Sequence, residues 1–248
     1  MSVPSWVDSY ERYGDRRAVL AGPVHSGNDG DVTNSCATYC VLQNFNEPLC
    51  IDIGCAEGWW AEFVKSISPN ARILAFEPNP TAFHALQTRW KNQPKLQILP
   101  YAVSNTHGML YFSLEGEQSN SRGGGAVSIP CVNLNAFLKD PVAILKLDVE
   151  GHELEILESI QDKYSLIHAI VFEFTPKWYT SKERSVHLLK TLSNSYPFAY
   201  HLSRRHIIEL YPLDLSNPEE FVQKMLDTQY QTDILVSKTP IQFPKSWP

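Results

Sequence analysis

From Leu49 onward, short apolar runs alternate with segments of helical periodicity, and this alternation limits the possible folds more than any other feature. The apolar runs are rich in Ile, Leu and Val, which is typical of parallel strands buried on both faces. The pattern predicts an α/β fold with a doubly wound, mostly parallel sheet. The runs span residues 49–54, 72–76, 96–99, 143–147 and 169–172, and the helical segments span residues 59–66, 81–90 and 151–160.

Two regions depart from this rhythm. Residues 109–113 and 126–129 predict a strand pair inserted before the run at residue 143, joined through the glycine-rich segment 123–125. Near the C-terminus, three further runs predict strands that close the sheet, at residues 198–202, 207–210 and 233–236.

The first 45 residues are polar and weakly periodic, unlike the rest of the chain. They predict a cap or lid segment with one helix near residues 34–43. We therefore divide the chain into an N-terminal segment, 1–45, and one domain, 46–248.

Composition argues against two classes of partner. The formal net charge is −6, and the basic clusters are short, at Arg16-Arg17 and Arg204-Arg205-His206, so we expect no nucleic-acid partner. No apolar run approaches the ~20 residues that span a bilayer, and residues 1–10 lack the pattern of a secretory signal. The five cysteines, an odd number, predict reduced thiols and a cytoplasmic location. Because no run is long enough to span a bilayer, we expect no membrane partner.

The segment that follows the first apolar run indicates a ligand site. Asp52 is followed by Gly54 and Gly58, in the spacing Asp-x-Gly-x-x-x-Gly, before a helical segment. Glycine lets the backbone approach a ligand closely, and the start of a helix supplies aligned N–H donors. The spacing differs from the Gly-x-Gly-x-x-Gly of dinucleotide-binding proteins. We expect Asp52 to attract the ammonium group of a ligand such as S-adenosylmethionine.

Glu77 ends the second apolar run, 25 residues after Asp52. An acid at this place in a nucleotide-binding unit can accept hydrogen bonds from both ribose hydroxyls. The edge of the third run, Tyr101 to Ser104, is expected to line the adenine. The candidate cofactor-binding residues are Asp52, Gly54, Cys55, Ala56, Gly58, Trp59, Glu77, Pro78, Asn79, Tyr101, Ala102, Val103 and Asp148.

A second cluster of polar residues follows the run at residues 143–147. Asp148, Glu150 and His152 fall within five residues at the carboxyl edge of the predicted sheet, where ligands of open α/β sheets bind. Glu153 and Glu155 come next, and we interpret them as solvated charges in the first turn of a helix.

Three of these motifs together resemble the FkbM family of S-adenosylmethionine-dependent methyltransferases. They are Asp-Ile-Gly-x-x-x-Gly at residue 52, Phe-Glu-Pro-Asn-Pro at residue 76, and Leu-Lys-Leu-Asp-Val-Glu-Gly-His-Glu at residue 145. The resemblance covers about residues 49–174. It implies a seven-stranded class I methyltransferase fold and transfer of a methyl group to a hydroxyl of a sugar or natural product.

The resemblance also implies residue roles. It places Asp52, Gly54, Gly58 and Glu77 at the cofactor. It places Asp148 and Glu150 in the active centre, with an acid corresponding to Glu173 beside the acceptor. The chain departs from the family in having Glu57 where Asn is frequent, and in the bulk of Trp59-Trp60, which could reshape the cofactor entrance.

The sequence leaves the proton acceptor open. Asp148, Glu150, His152 and Glu173 are the candidate catalytic residues, because an alcohol becomes a nucleophile when a base takes its proton. A divalent cation bridging Asp148 and Glu173 is an alternative, so the metal requirement is undetermined.

We expect a carbohydrate or other small-molecule acceptor, and the rings beyond the resemblance are suited to stacking on sugars. They are Trp178, Tyr179, Tyr200, His201 and His206. A nicotinamide-dependent oxidoreductase, a binding module without catalysis and an RNA methyltransferase are the competing interpretations. The oligomeric state is not determined by the sequence.

Overall fold

The computed structural model describes residues 29–112, 127–179, 181–202, 210–228 and 231–243. In chain order the strands are β1 (Leu49–Ile53), β2 (Arg72–Phe76), β3 (Leu96–Leu99), β4 (Ala102–Ser104), β5 (Gly108–Phe112), β6 (Val127–Asn133), β7 (Val142–Leu147), β8 (Ile167–Phe174), β9 (Phe198–Leu202), β10 (Leu210–Pro212) and β11 (Thr232–Ser237). The helices are α1 (Asp29–Leu42), α2 (Trp59–Ile67), α3 (Pro80–Arg89), α4 (Glu153–Ser159), α5 (Lys182–Ser193) and α6 (Glu219–Thr228).

Eight of the strands form one sheet in the order β10-β9-β11-β8-β7-β1-β2-β3. The five strands β8, β7, β1, β2 and β3 are parallel to one another. The pairs β8–β11, β11–β9 and β9–β10 are antiparallel. The doubly wound α/β prediction is therefore confirmed. The predicted strand count of seven is one short, because β10 adds an antiparallel strand at the edge beyond β9. The sequence had placed that strand at 207–210, of which 207–209 lie outside the described residues.

A smaller sheet of three strands, in the order β4-β6-β5, stands beside the main one. β5 and β6 are antiparallel, which confirms the predicted strand pair; the glycine-rich connection lies outside the described residues. β4 pairs with β6 rather than extending β3. The chain therefore leaves the main sheet after β3, and β4 belongs to the smaller sheet.

Helices cover both faces of the main sheet. On one face the core includes Leu157 of α4, Leu188 of α5 and Val222 of α6, all fully buried. On the other face, Val41 of α1 and Val64 of α2 are equally buried. This two-sided burial explains why the central strands are continuous apolar runs.

The helix expected near residues 34–43 is observed as α1, and it packs onto the sheet. Cys36, Ala37 and Val41 are buried, and the buried indole of Trp60 donates a hydrogen bond to Thr38 Oγ1 at 3.1 Å. Residues 1–28 lie outside the described residues, so the lid and the boundary at residue 45 stay predictions. None of the helices in the described ranges has the length and apolar character that crossing a membrane requires.

Candidate active site

A cavity of about 650 Å³ opens at the carboxyl edge of the main sheet, where the connections after β1 and β7 lead to opposite faces. Open α/β sheets bind ligands at this kind of topological switch point. The cavity is lined by Ile53, Gly54, Ala56, Glu57, Glu77, Pro78, Asn79, Thr81, Ala82, Ala85, Leu86, Arg89, Tyr101, Ala102, Val103, Leu110, Asp148, Val149, Glu150 and His152.

Gly54 brings the ends of β1 and β7 together at the cavity floor. Its φ is +76°, in the left-handed region, and a Cβ built on it would lie 1.9 Å from the Asp148 carbonyl oxygen. The Asp148 amide donates to the Ile53 carbonyl at 3.0 Å, so the two strand ends stay paired up to this point. Only glycine fits a backbone contact this close.

The loop between β1 and α2 satisfies most of its own N–H donors. Gly54 and Cys55 donate to the Phe76 carbonyl at 3.1 and 3.2 Å, and Gly58 donates to the Cys55 carbonyl at 2.6 Å. The Ala56 amide donates to Glu77 Oε2 at 2.7 Å. This loop therefore does not offer the row of bare N–H groups with which dinucleotide folds bind pyrophosphate.

Glu77 lies at the end of β2 and is 5% exposed. One carboxylate oxygen accepts from Ala56 and the other from the Asn79 amide at 2.8 Å. Burial is the main cause that raises the pKa of Glu77 to about 7, although both amide bonds favour the ionised form. Because each carboxylate oxygen has two lone pairs, one on each oxygen is left for a ligand in the cavity.

Asp52 and Asp148 are joined through a buried lysine. Lys146 Nζ lies 3.5 Å from Asp52 Oδ1 and 3.4 Å from Asp148 Oδ2, and about 5.9 Å from the centre of the Trp59 ring. Asp52 is fully buried, whereas the Asp148 side chain is 44% exposed and faces the cavity. Burial raises the pKa of Asp52, and the adjacent Lys146 ammonium opposes that rise.

Three carboxylates meet at the ends of β7 and β8. Oxygens of Asp148, Glu150 and Glu173 lie within 4.8 Å of one another, so this acid cluster could receive a proton or bind a cation. Asp148 and Glu150 line the cavity, and Glu173 is buried beside them at 4% exposure. The strand-end acids that the sequence indicated are thus brought together.

The loop that carries Glu150 is fixed by Glu153, the first residue of α4. Glu153 accepts hydrogen bonds from the Val149 and Gly151 amides and is 1% exposed. The interpretation of Glu153 as a solvated charge was therefore wrong, because its carboxylate turns back into the loop. Glu155 is also not freely solvated, since it forms an ion pair with Arg184 at 2.7 Å.

His152 is half-buried on the cavity wall. Its Nε2 lies 3.1 Å from Ser104 Oγ, which joins the acid-bearing loop to β4 of the small sheet. Burial lowers the pKa of His152. A lowered pKa favours the neutral ring, the form in which a ring nitrogen can accept a proton.

Most of the candidate cofactor residues line the cavity. Asp52, Cys55, Gly58 and Trp59 are not among the described residues that line the cavity, and the first two are buried beneath it. A Cβ on Gly58 would lie 2.2 Å from the Trp90 ring, so this glycine serves packing. The candidates on the wall are Gly54, Ala56, Glu77, Pro78, Asn79, Tyr101, Ala102, Val103 and Asp148.

The rings expected to contact a sugar do not converge on the cavity. Tyr200 accepts a hydrogen bond from the Ile241 amide at 3.0 Å, whereas the neighbouring His201 side chain stacks on Tyr211 at the far edge of the sheet. Tyr179 donates a hydrogen bond to the Glu173 carbonyl and so contacts the backbone of the acid cluster. Trp178 is partly buried, and Lys177 lies over its ring. Residue 206 lies outside the described residues.

Sequence reasoning missed two groups of residues. Lys146 and Glu153 lie inside the quoted motif, but nothing in their spacing shows that they are buried. The other group comes from α3 and β5 and also lines the cavity: Thr81, Ala82, Ala85, Arg89 and Leu110. The periodicity of α3 could have indicated which of its residues face inward.

A sequence profile of the methyltransferase FkbM domain matches residues 52–200, more than half of the chain. The chain belongs to the FkbM methyltransferase family. The resemblance drawn from the motifs is thus confirmed, and the matched range contains Glu77, the acid cluster and Glu153.

Two curated relatives of this FkbM-family chain are methyltransferases. The hexuronic acid methyltransferase AglP of Haloferax volcanii is 27% identical over 115 residues, 43% of this chain and 48% of the relative. The methyltransferase sdnD of Sordaria araneosa is 26% identical over 172 residues, 52% of this chain and 66% of the relative. The chain therefore matches between about half and two thirds of the length of these relatives.

Among solved structures, the methyltransferase FkbM of Methylobacillus flagellatus superimposes with a TM-score of 0.49 and 12% identity. The alignment covers 77% of this chain and 44% of that one. The strand order of the chain itself shows the doubly wound α/β fold.

Lys146→Met is expected to lower the free energy of unfolding by about 3–5 kcal/mol, because it leaves the Asp52 carboxylate buried without its counter-charge. The double variant Asp52→Asn/Lys146→Met should recover most of this loss. Denaturant unfolding measures both. Lys91→Met, at an exposed lysine, is the control and should change stability by less than about 0.5 kcal/mol. Equal midpoints for Lys146→Met and the wild type would contradict the ion pair.

Proposed function

We propose that this FkbM-family chain is an S-adenosylmethionine-dependent O-methyltransferase that methylates a hydroxyl group of a sugar or glycan. One observation carries the proposal. A single cavity joins Glu77, at the end of β2, to the acid cluster at the ends of β7 and β8. A nucleoside held at one end would therefore present its other end to a group of proton acceptors.

The cofactor end of the cavity suits an adenosine ligand. Glu77 is anchored by two backbone amides, and a fixed, ionised carboxylate is a strong acceptor for two ribose hydroxyls. Tyr101, Ala102 and Val103 supply a mainly apolar wall next to it, as an adenine ring requires.

The same loop argues for S-adenosylmethionine over a nicotinamide dinucleotide. The amides of Gly54, Cys55, Ala56 and Gly58 already donate to protein acceptors, and a pyrophosphate would need such donors. The carboxylates of Glu77 and Asp148 on the cavity wall favour a cationic ligand over a polyanion.

When bound, S-adenosylmethionine supplies an electrophilic methyl group on its sulfonium. The chain has to hold the acceptor hydroxyl in line with that group and take up its proton. Asp148 and Glu150 reach the cavity at the required end, with Glu173 close behind them. His152 is the further candidate, because its neutral ring lies on the same wall.

A divalent cation on the acid cluster is a second way to activate the hydroxyl. Three carboxylates within 4.8 Å fit the oxygen-rich ligand sets of Mg²⁺ or Mn²⁺. A cation there would acidify a coordinated hydroxyl, and the carboxylates would serve as ligands instead of bases.

A sugar acceptor is supported by one relative and by charge. AglP is named for methylation of a hexuronic acid, although its similarity covers less than half of either chain. The net charge of −6 and the acids at the cavity favour a neutral acceptor over a phosphorylated one. Tyr101 is an aromatic residue among the described residues that line the cavity, whereas Tyr179, Tyr200 and His201 are not part of that lining.

The strand-end acids should separate binding from turnover. Asp148→Asn and Glu173→Gln are expected to lower kcat at least 100-fold and to weaken cofactor binding far less, by under about threefold for Glu173→Gln, which is not among the described residues that line the cavity. Single-turnover kinetics and calorimetry give the two numbers. Asp162→Asn, at an exposed acid, is the control and should behave like the wild type. Full turnover by both acid variants would contradict the assignment.

A chelator distinguishes the two uses of the acid cluster. If the carboxylates or His152 accept the proton directly, activity should be unchanged in excess EDTA. If they bind a cation, EDTA should abolish activity and Mg²⁺ or Mn²⁺ should restore it.

The acceptor class can be tested with methyl-labelled cofactor. We expect label on free saccharides or glycans, and none on RNA, because Arg89 is the only lysine or arginine among the described residues that line the cavity. A panel that also contains small phenols and a natural-product alcohol gives the comparison. Efficient labelling of RNA or a phenol, with none on any carbohydrate, would overturn the sugar assignment and leave the methyltransferase assignment intact.

A further inference from the structure

We propose that Glu153 and Tyr179 are positioning residues that fix the acid cluster by tying the end of β7 to the end of β8. The proposal rests on the proposed function, since it explains how the proton-accepting groups are held. Neither residue is among the described residues that line the cavity. Glu153 acts through the backbone amides of Val149 and Gly151, on either side of Glu150, and Tyr179 acts through the backbone carbonyl of Glu173.

Glu153 holds the loop after β7 from inside. Its Oε1 accepts from the Val149 amide at 3.0 Å and from the Gly151 amide at 3.3 Å, and its Oε2 accepts from Gly151 at 3.0 Å. The carboxylate is 1% exposed, so these bonds form without competing water. Two amides on either side of Glu150 are thus held by one side chain.

The loop needs this support because its backbone is strained. Glu150 has φ +56°, a left-handed conformation that is costly for a residue with a Cβ, and Gly151 follows at φ +103°. Such a conformation persists only where the surroundings over-determine it. The bonds to Glu153 supply that constraint, and they set the direction in which Glu150 leaves the chain.

Tyr179 extends the constraint to the neighbouring strand. Its hydroxyl donates to the Glu173 carbonyl at 3.0 Å and lies 3.4 Å from Glu153 Oε2. The ring packs against Phe174 at 5.7 Å between centroids, which keeps the hydroxyl in place. A chain of contacts therefore runs from the Glu150 loop through Glu153 and Tyr179 to Glu173.

The spacing of the three carboxylates in the acid cluster depends on this series of contacts. Asp148 and Glu150 belong to the segment that follows β7, and Glu173 belongs to β8, so their separation is set by how the two strand ends are joined. Proton transfer and cation binding are both sensitive to displacements of about 1 Å. Glu153 and Tyr179 should therefore affect turnover whether the acid cluster accepts a proton or binds a cation.

Two isosteric variants test the proposal. Glu153→Gln turns one acceptor into an N–H donor that faces the loop amides, and Tyr179→Phe removes only the hydroxyl. We expect kcat to fall roughly 100-fold for Glu153→Gln and about tenfold for Tyr179→Phe. Cofactor affinity should stay within about threefold of the wild type, because the Glu77 loop is untouched.

Amide hydrogen exchange gives a readout that does not depend on activity. The Val149 and Gly151 amides lie in a loop, so their protection in the wild type should come from Glu153 and should fall in Glu153→Gln, which keeps only one of the two acceptor oxygens. If that variant fails to fold, Tyr179→Phe, which keeps the ring, decides the kinetic question.

Matched controls separate positioning from general stability. Glu158→Gln, on the same helix, neutralises one of the two carboxylates that pair with Arg184, and Tyr164→Phe removes a buried hydroxyl that donates to the Leu157 carbonyl. Both should lower the melting temperature and leave kcat within about threefold of the wild type. A fall in kcat equal to that of the test variants would reduce the proposal to a stability effect.

Failure of this proposal differs from failure of the proposed function. Wild-type kcat in both Glu153→Gln and Tyr179→Phe, with an active wild type, would overturn the positioning role alone. A wild type that binds no S-adenosylmethionine would overturn the function. In that case the exchange rates of the Val149 and Gly151 amides still decide whether Glu153 fixes the loop.

Discussion

The contact between the ends of β1 and β7 is the constraint on which the site depends. The Asp148 carbonyl lies where a side chain on residue 54 would stand, so the two strands can remain neighbours only because residue 54 is glycine. From this point the chain after β1 turns to one face of the sheet, and the chain after β7 turns to the other. The cavity is the space that this divergence leaves.

Two buried glutamates hold the loops on either side of that space. Glu77 accepts amides from the loop after β1 and from its own strand end, and Glu153 accepts amides from the loop after β7. Burial raises the pKa of each carboxyl to about 7. Each loop contains a non-glycine residue at positive φ, Ala56 in one and Glu150 in the other. In both loops, a buried carboxylate therefore stabilises a strained turn at the end of a strand.

Much of the architecture follows from local pattern. The alternation of apolar runs and helical segments predicted β1, β2, β3, β7 and β8, because strands buried on both faces need continuous apolar sequence. The strand-end acids and glycines were also found, since the carboxyl ends of parallel strands share one edge. Residues 100–104 were not assigned to a separate sheet, because their pairing partner β6 lies about 30 residues away in the chain.

The part of the site that sequence reasoning missed depends on distant contacts. A glutamate in the first turn of a helix is usually solvated, whereas Glu153 is buried against its own loop and contacts the hydroxyl of Tyr179, 26 residues later. The rings beyond residue 176 illustrate the same difficulty. Composition suggested a sugar-binding surface, whereas packing uses Tyr179 and Tyr200 to satisfy backbone groups in and beside the sheet.

Calorimetric titration of S-adenosylmethionine against the wild type and Glu77→Gln, at pH 6 and pH 8, tests the central claim most directly. The pKa of Glu77 is raised to about 7, so the free carboxyl is largely protonated at pH 6 and ionised at pH 8. Ribose hydroxyls favour the ionised form, so wild-type affinity should rise with pH, and binding near pH 7 should release protons. Glu77→Gln should bind at least tenfold more weakly at pH 8, with a flat profile. Exposed Glu47→Gln is the control and should match the wild type. Equal affinity of Glu77→Gln and the wild type at both pH values would contradict the account.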